Sequence, residues 1–359
     1  MTKLMILAAT LILALALSCG VTQPGWRIEN NFPSGLRLVV DSNTGPAINR
    51  TASRLEMRLG NVSWQVAPES DLENLNPRKI VFVIKGSSFN AWTEIDNAKI
   101  TVQDMKGREV ILETGPFVYQ DTRFAWKENE SKNVRVLFYG PEGGVKPEKV
   151  LEEAGELLEK FSFTPPRKIR IIVYESRRDI DVALPFRSKA TTEHLITLGM
   201  AFKEINAVFV LRSGSNEEVA NTRRHELMHL VFDHLTQKVF TPLPTWLNEG
   251  LAMYAGSENL SRYEKSAISL AIENGKLLSL RQLSSFSGKP ELTMLSYAES
   301  HSFVRFLIQE YGQDTMLIFL RSLNENFGMK LEEGVEGVYG KSLDVLEKEW
   351  KEVLAGERR

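Results

Sequence analysis

The run His225-Glu226-Leu227-Met228-His229 constrains the fold of this chain more than any other feature. In an α-helix, residues four apart lie one turn apart on the same face, so both imidazoles would point at one place. Two imidazoles beside a carboxylate supply two ligands and a general base for metal-assisted hydrolysis, with zinc the typical ion. The chain holds only five histidines in 359 residues, so a chance pairing around a glutamate is uncommon. We therefore expect a helix here that binds one zinc ion through His225 and His229, with Glu226 as the base.

The residues around this run predict a largely helical region. Ser215 and Glu218 have the spacing of a capping box, which satisfies free backbone N–H groups at a helix start. Apolar periodicity predicts helices over 216–238, 244–255, 260–274, 296–311, 313–324 and 342–354. Upstream, strands are expected at 134–139, 168–174 and 206–211, with a helix at 147–161. We read residues 127–359 as one domain, α/β at first and then mostly helical.

Residues 26–126 have a different pattern, typical of antiparallel β structure. Runs rich in β-branched residues at 36–40, 63–66, 80–84, 99–102 and 110–113 are separated by Gly, Pro and Asn turns. The segment 51–59 fits either a strand or a short helix. Short strands at this spacing predict an antiparallel β-sandwich in front of the helical domain, so the chain as a whole is multidomain.

The N-terminus has the pattern of an export signal. Lys3 precedes an apolar run at 4–17 that ends at Cys19, the only cysteine of the chain. A lone cysteine at the end of such a run resembles the lipobox of bacterial lipoproteins, which implies lipidation of Cys19 and a membrane anchor. We expect a signal peptide at 1–19, a tether at 20–25 and an exported protein; secretion without a lipid is the alternative. The net charge of −2, from 44 basic and 46 acidic residues, gives no indication of nucleic-acid binding.

Two histidines do not complete a catalytic zinc site, which needs a third protein ligand and one open position. The metzincin pattern, with a glycine and a third histidine soon after the run, fails because Phe232 and Leu235 hold those places. Instead, Trp246-Leu247-Asn248-Glu249-Gly250 follows, with Glu249 twenty residues after His229. This residue sequence and this spacing resemble those of the gluzincin metallopeptidases, including the aminopeptidase-N type.

A second match to this family is Tyr297 with Gly312 fifteen residues later, although Ser300 replaces the glycine of the family's Y-x-x-G segment.

The resemblance implies a role for each of these residues. In that family the matching glutamate, here Glu249, is the third zinc ligand, and the matching tyrosine, here Tyr297, stabilises the oxyanion. The order of segments, with an immunoglobulin-like β domain before a thermolysin-like gluzincin domain, resembles bacterial peptidase MA-like proteins. The family also places an extended peptide on a sheet edge, which we expect at the strand 208–211. Aminopeptidases of the clan hold the substrate's amine with an M-E-N segment, which does not follow Gly199 here. We therefore expect an endopeptidase acting on peptide or protein substrates.

Other interpretations stay open from sequence alone. The chain could be a non-catalytic cell-surface binding or adhesion lipoprotein in which the zinc domain is a scaffold, or a hydrolase of a non-peptide substrate. Arg223 and Arg224 read as a solvated patch, and Asp233 either as a surface residue or as an acceptor that orients an imidazole. His301 reads as packing or as a second oxyanion donor. The sequence does not indicate an oligomeric state.

Overall fold

The computed structural model describes residues 24–42, 45–69, 76–141, 144–184, 198–213, 215–239, 242–326 and 328–356. The chain divides into two compact units, Met1–Gln120 and Asp121–Arg359. Cys19, the predicted signal peptide and residues 20–23 of the expected tether lie outside the described residues, and Gly25 already opens the first strand. No helix within the described ranges has both the length and the apolar character that a bilayer span requires.

The first unit consists of antiparallel sheets. Its strands are β1 (Gly25–Asn31), β2 (Gly35–Asp41), β3 (Ile48–Leu59), β4 (Val62–Val66), β5 (Lys79–Lys85), β6 (Thr93–Ile95), β7 (Asn97–Asp104), β8 (Glu109–Glu113) and β9 (Phe117–Tyr119). They form the sheets β1-β2-β5, β4-β3-β7-β8 and β6-β9. The ambiguous segment 51–59 is part of strand β3, where Ser53, Leu55 and Met57 are buried and the residues between them are exposed. The predicted antiparallel sheets are therefore present. Strand β1 was not predicted because its residues are mostly exposed and carry no apolar alternation.

The division between the units falls before Asp121, N-terminal to the boundary expected after Trp126. Asp121 is fully buried in the second unit, where it pairs with Arg123 and accepts a hydrogen bond from the Tyr174 hydroxyl at 3.1 Å. The Trp126 indole donates to the Asp121 carbonyl and packs edge-on against Tyr139 and Tyr174. These contacts make the segment 121–126 part of the second unit.

The second unit opens with a mixed five-stranded sheet in the order β10-β11-β12-β14-β13. Its strands are β10 (Lys127–Glu130), β11 (Val134–Phe138), β12 (Ile169–Tyr174), β13 (Gly199–Phe202) and β14 (Ala207–Leu211). Strands β11, β12 and β14 run parallel, and β10 and β13 are antiparallel edges. The strand expected to pair with a peptide, 208–211, was placed wrongly at an edge. It lies inside the sheet because β13 pairs with its outer side, so β13 is the edge strand among the strands that the structure describes.

Nine described helices cover the rest of this unit. They are α1 (Pro147–Lys160), α2 (Arg177–Ala183), α3 (Asn216–Leu235), α4 (Thr245–Gly256), α5 (Arg262–Glu273), α6 (Pro290–Tyr311), α7 (Gln313–Glu325), α8 (Leu331–Tyr339) and α9 (Leu343–Gly356). The predicted capping box is present, with Ser215 and Glu218 bonded reciprocally. Helix α6 begins at 290, earlier than predicted, and α2 and α8 were not predicted. Helix α3 packs against β13, β14 and α4, and α4 packs against α6. Strand β13 and helices α3, α4 and α6 therefore surround the histidine pair.

Candidate metal centre and catalytic groups

Three side chains from two packed helices converge on one point. His225 and His229 of α3 and Glu249 of α4 offer ligand atoms that all lie within 4.8 Å of one another. The two Nε2 atoms are 3.1 Å apart, and each is 3.7 Å from Glu249 Oε2. A tetrahedral zinc ion about 2.0–2.1 Å from each ligand separates the ligand atoms by roughly 3.3 Å. The three distances bracket this value, so the donors fit a zinc ion without rearrangement.

Hydrogen bonds on the far sides of the rings leave both Nε2 atoms free for a metal. His229 Nδ1 lies 2.9 Å from Asn248 Oδ1, which requires the Nδ1–H tautomer if Asn248 presents its carbonyl oxygen. The His225 ring bonds to the backbone carbonyl of Ala252. Two Nε2 lone pairs facing each other at 3.1 Å repel unless a cation lies between them. Asp233, which the sequence left open as a surface residue or an imidazole acceptor, does not bind His229; Asn248 does, from the position before Glu249 on α4.

The charges of the three groups also favour a cation. Burial, reinforced by electrostatic interactions with His229 and His301, lowers the pKa of His225 to about 3, so this imidazole is neutral at pH 7. Burial raises the pKa of Glu249, and the nearby His229 opposes that effect only in part. A buried carboxylate beside a neutral imidazole is stabilised by a positive ion. Donor type, spacing and charge therefore agree in assigning His225, His229 and Glu249 as candidate zinc ligands.

Glu226 follows the first ligand on α3 and lies against the edge strand. An added Cβ at Gly199 of β13 would lie 2.6 Å from Glu226 Cγ and 3.0 Å from Thr222 Cγ2. The glycine therefore leaves the space that the Glu226 side chain occupies. In the sequence, Gly199 was noted only because no M-E-N segment follows it, and no sequence pattern indicated this contact with Glu226.

Tyr297 of α6 lies close to the same groups. Burial raises the pKa of its hydroxyl, and the negative charges of Glu249 and Glu226 raise it further. The hydroxyl therefore stays protonated at neutral pH and can donate a hydrogen bond. Its ring packs edge-on against Phe286, with centroids 5.0 Å apart. The structure thus brings Tyr297 together with Glu226 and Glu249.

The structure corrects one expectation about nearby residues and decides between two interpretations of another. Arg223 and Arg224 do not form a solvated patch: Arg223 pairs with Glu153 at 2.5 Å, and Arg224 donates to the carbonyl of Gly256. His301 is 1% exposed, and its Nδ1 lies 2.7 Å from Glu264 Oε1, so it takes the packing role. Burial opposes ionisation of Glu264, yet the hydrogen bonds from His301 and Ser261 lower its pKa overall.

Comparisons with known proteins place this site in a family. The sequence model described as the peptidase MA superfamily matches residues 156–356, which include every candidate metal-binding and catalytic residue and more than half of the chain. No curated protein matches the chain.

Among solved structures, the M1 zinc metallopeptidase of Deinococcus radiodurans matches at 14% identity over 88% of each chain, with a TM-score of 0.39. A variant of that enzyme gives a TM-score of 0.43 at 12% identity over 88% of each chain. An aminopeptidase N family protein from Idiomarina loihiensis gives 0.34 at 9% identity, covering 92% of this chain and 70% of its own. The family assignment does not depend on these low TM-scores. The match over 156–356 shows that the chain belongs to the peptidase MA superfamily.

Proposed function

We propose that this protein is a zinc-dependent endopeptidase. The observation that carries the proposal is the convergence of His225, His229 and Glu249 within 4.8 Å, with Glu226 on the same helix as the two histidines. Zinc bound by these ligands supplies a Lewis acid that polarises a carbonyl and lowers the pKa of water toward 7. The donor set and the family membership both support a peptidase that uses this chemistry.

The residues of the chain then have separate tasks. Glu226 accepts a proton from the attacking water and delivers it to the leaving amine of the cleaved peptide bond. The protonated Tyr297 hydroxyl donates a hydrogen bond to the oxygen of the reacting carbonyl, where negative charge develops. The edge strand β13 offers backbone groups to which an extended peptide can add as a further strand.

The composition of β13 supports internal cleavage over removal of terminal residues. The strand reads Gly-Met-Ala-Phe and carries no carboxylate that could bind a free amine. A peptide paired with it would be held through backbone hydrogen bonds, which do not require a chain end. We therefore propose that the scissile bond can lie within a longer peptide.

The test is Glu226→Gln, compared with Glu217→Gln, which alters an exposed glutamate of the same helix. We expect Glu226→Gln to bind one zinc per chain by elemental analysis and to cleave a peptide library at least about 10²-fold more slowly. Glu217→Gln should match the wild type in both measurements. Full activity of Glu226→Gln would overturn the mechanism. A zinc-loaded wild type that cleaves no peptide would favour the non-catalytic binding lipoprotein.

We further propose that the protein is exported and anchored through lipid on Cys19. The support is the basic residue, apolar run and lone cysteine of the first nineteen residues. Metabolic labelling with palmitate in a bacterial host, followed by membrane fractionation, tests this proposal. Label and membrane retention should be lost in Cys19→Ser. If Cys19→Ser stays in the membrane fraction like the wild type, the protein has another anchor. If neither protein is found there, the protein is secreted.

A further inference from the structure

Residues 284–287, called the strap here, start at the last residue of a short 3-10 turn (Gln282–Ser284) and precede helix α6. Phe286 in the strap meets the ring of Tyr297 edge-on, with centroids 5.0 Å apart and an interplanar angle of 80°. Edge-to-face pairs have a preferred geometry, whereas the χ2 torsion of an isolated tyrosine is broad. The contact therefore restricts the direction in which the Tyr297 ring points.

Two threonines hold the strap at its two ends. Thr245 Oγ1, in the first turn of α4, donates to the Ser284 carbonyl at 3.1 Å. Thr293 Oγ1, in the first turn of α6, donates to the Ser287 carbonyl. Helix α4 carries Glu249 and helix α6 carries Tyr297. The strap is thus tied both to the helix of a candidate ligand and to the helix of the candidate oxyanion donor.

We propose that Phe286 is a positioning residue, which aims the Tyr297 hydroxyl at the oxygen of the reacting carbonyl through a strap tied to both helices. The inference rests on the proposed function, because it assigns Tyr297 a role in the reaction. Phe286 itself does not touch substrate. It acts by limiting the orientations of the phenol, so that the donor is in place before negative charge develops.

The kinetic test is Phe286→Leu, which keeps an apolar side chain and removes the aromatic contact. Phe163→Leu is the control, since Phe163 is also half-buried but packs on His234. We expect Phe286→Leu to lower kcat about 10-fold with little change in KM, because misplacing a catalytic group weakens transition-state binding. Tyr297→Phe should lower kcat by about 10²-fold, as loss of one oxyanion donor does.

The double variant decides between positioning and packing. If Phe286 acts through Tyr297, adding Phe286→Leu to Tyr297→Phe should lower kcat no further. If the two losses multiply, or if Phe163→Leu has the same effect, Phe286 is only part of the core and the proposal is wrong.

A spectroscopic measurement separates failure of this proposal from failure of the proposed function. Protein labelled with 3-fluorotyrosine gives a ¹⁹F resonance for Tyr297, assigned by its loss in Tyr297→Phe. Phe286→Leu should broaden or split this resonance, because the ring then samples more orientations, and Phe163→Leu should not. A single resonance as narrow as that of the wild type would overturn the positioning role even in an active enzyme. If the resonance broadens or splits but the wild type cleaves no peptide, the strap holds Tyr297 and the proposed function is what fails.

Discussion

Asn248 holds His229 at 2.9 Å and so fixes the tautomer of a candidate ligand. Removing such a partner from a metal-bound histidine typically weakens metal affinity by about 10–100-fold. We expect that loss for Asn248→Ala and a smaller one for Asn248→Asp, which keeps an acceptor. Asn259→Ala, at an exposed position just beyond the same helix, should have no effect. Competition with a chromophoric zinc chelator measures all three affinities. Equal affinity of Asn248→Ala and wild type would show that the hydrogen bond does not support the metal.

Glu299 gives the protein a pH-dependent stability. Its carboxyl is fully buried on α6, and burial raises its pKa to about 8, although the Leu278 N–H and the charge of Lys351 lower it. Between the ordinary pKa of 4.5 and a pKa of about 8, the folded state keeps a proton that the unfolded state releases. Stability therefore falls as pH rises through this window, by at most about 1.4 kcal/mol per pH unit.

Glu299→Gln should remove this dependence, because the amide cannot ionise. Urea unfolding at pH 5, 6.5 and 8 measures the slope of unfolding free energy against pH. Wild type and the exposed-site control Glu291→Gln should share a slope that is more negative than that of Glu299→Gln. Parallel slopes for Glu299→Gln and wild type would show that Glu299 already ionises near its ordinary pKa.

At the scale of elements, the crossing of α4 and α6 sets the distance between Glu249 and Tyr297. An added Cβ at Gly250 would lie 2.5 Å from the Ser300 carbonyl oxygen and 2.6 Å from Val304. The Ser300 backbone makes the closest approach to Gly250. Position 250 therefore needs a glycine at this crossing. A backbone atom cannot yield as a flexible side chain can.

Gly250→Ala should therefore destabilise the protein by about 1–3 kcal/mol and lower peptide cleavage, since it pushes the two helices apart. Gly337→Ala is the matched control in α8, where an added methyl meets nothing within 4 Å. That control should be neutral or slightly stabilising, because alanine favours a helix more than glycine does. Chemical denaturation and activity of both variants check the prediction. A stable, active Gly250→Ala would mean that the two helices can accommodate the added methyl group at their crossing.

The edge strand and α3 meet at Gly199, where a methyl group would reach the Glu226 side chain instead of a backbone. Gly199→Ala should leave stability and zinc content close to wild type, because a side chain can move aside. It should lower kcat about 10-fold or more by displacing the general base. Melting temperature, metal content and kcat measured on one preparation test the combination. A large loss of stability with unchanged kcat would contradict it.

Local periodicity was enough to predict the elements that carry the site. The capping box at Ser215 and the apolar periodicity of 216–238 and 244–255 predicted helices α3 and α4, on which the three candidate ligands lie, because both signals act along one stretch of chain. The edge strand was missed because strand order depends on pairing between distant segments.

Helix α8 was missed because Gly334 and Gly337 weaken its helical pattern, although Gly334 packs against Phe319. Asn248 and Phe286 act through tertiary contacts, which no spacing in the sequence reveals.

At the scale of the whole molecule, the candidate metal site lies entirely in one of two units. All three ligands and Tyr297 belong to the unit Asp121–Arg359, and none to Met1–Gln120. An ion that binds only the folded second unit stabilises it by about 4 kcal/mol at a thousandfold excess over its Kd. The first unit gains nothing directly from that binding.

Zinc should therefore slow hydrogen exchange unevenly along the chain. Amides of α3 and α4 that exchange by unfolding of the second unit should become protected up to about a thousandfold, because their opening releases the ion. Amides of β7 in the first unit should exchange at the same rate with zinc or with a chelator. Mass spectrometry of peptides from 97–104 and 216–235 provides the comparison, and His225→Ala should abolish the zinc effect. Equal protection of both peptides would mean that metal binding stabilises the two units together. If zinc protects neither peptide, the assignment of the metal site is wrong.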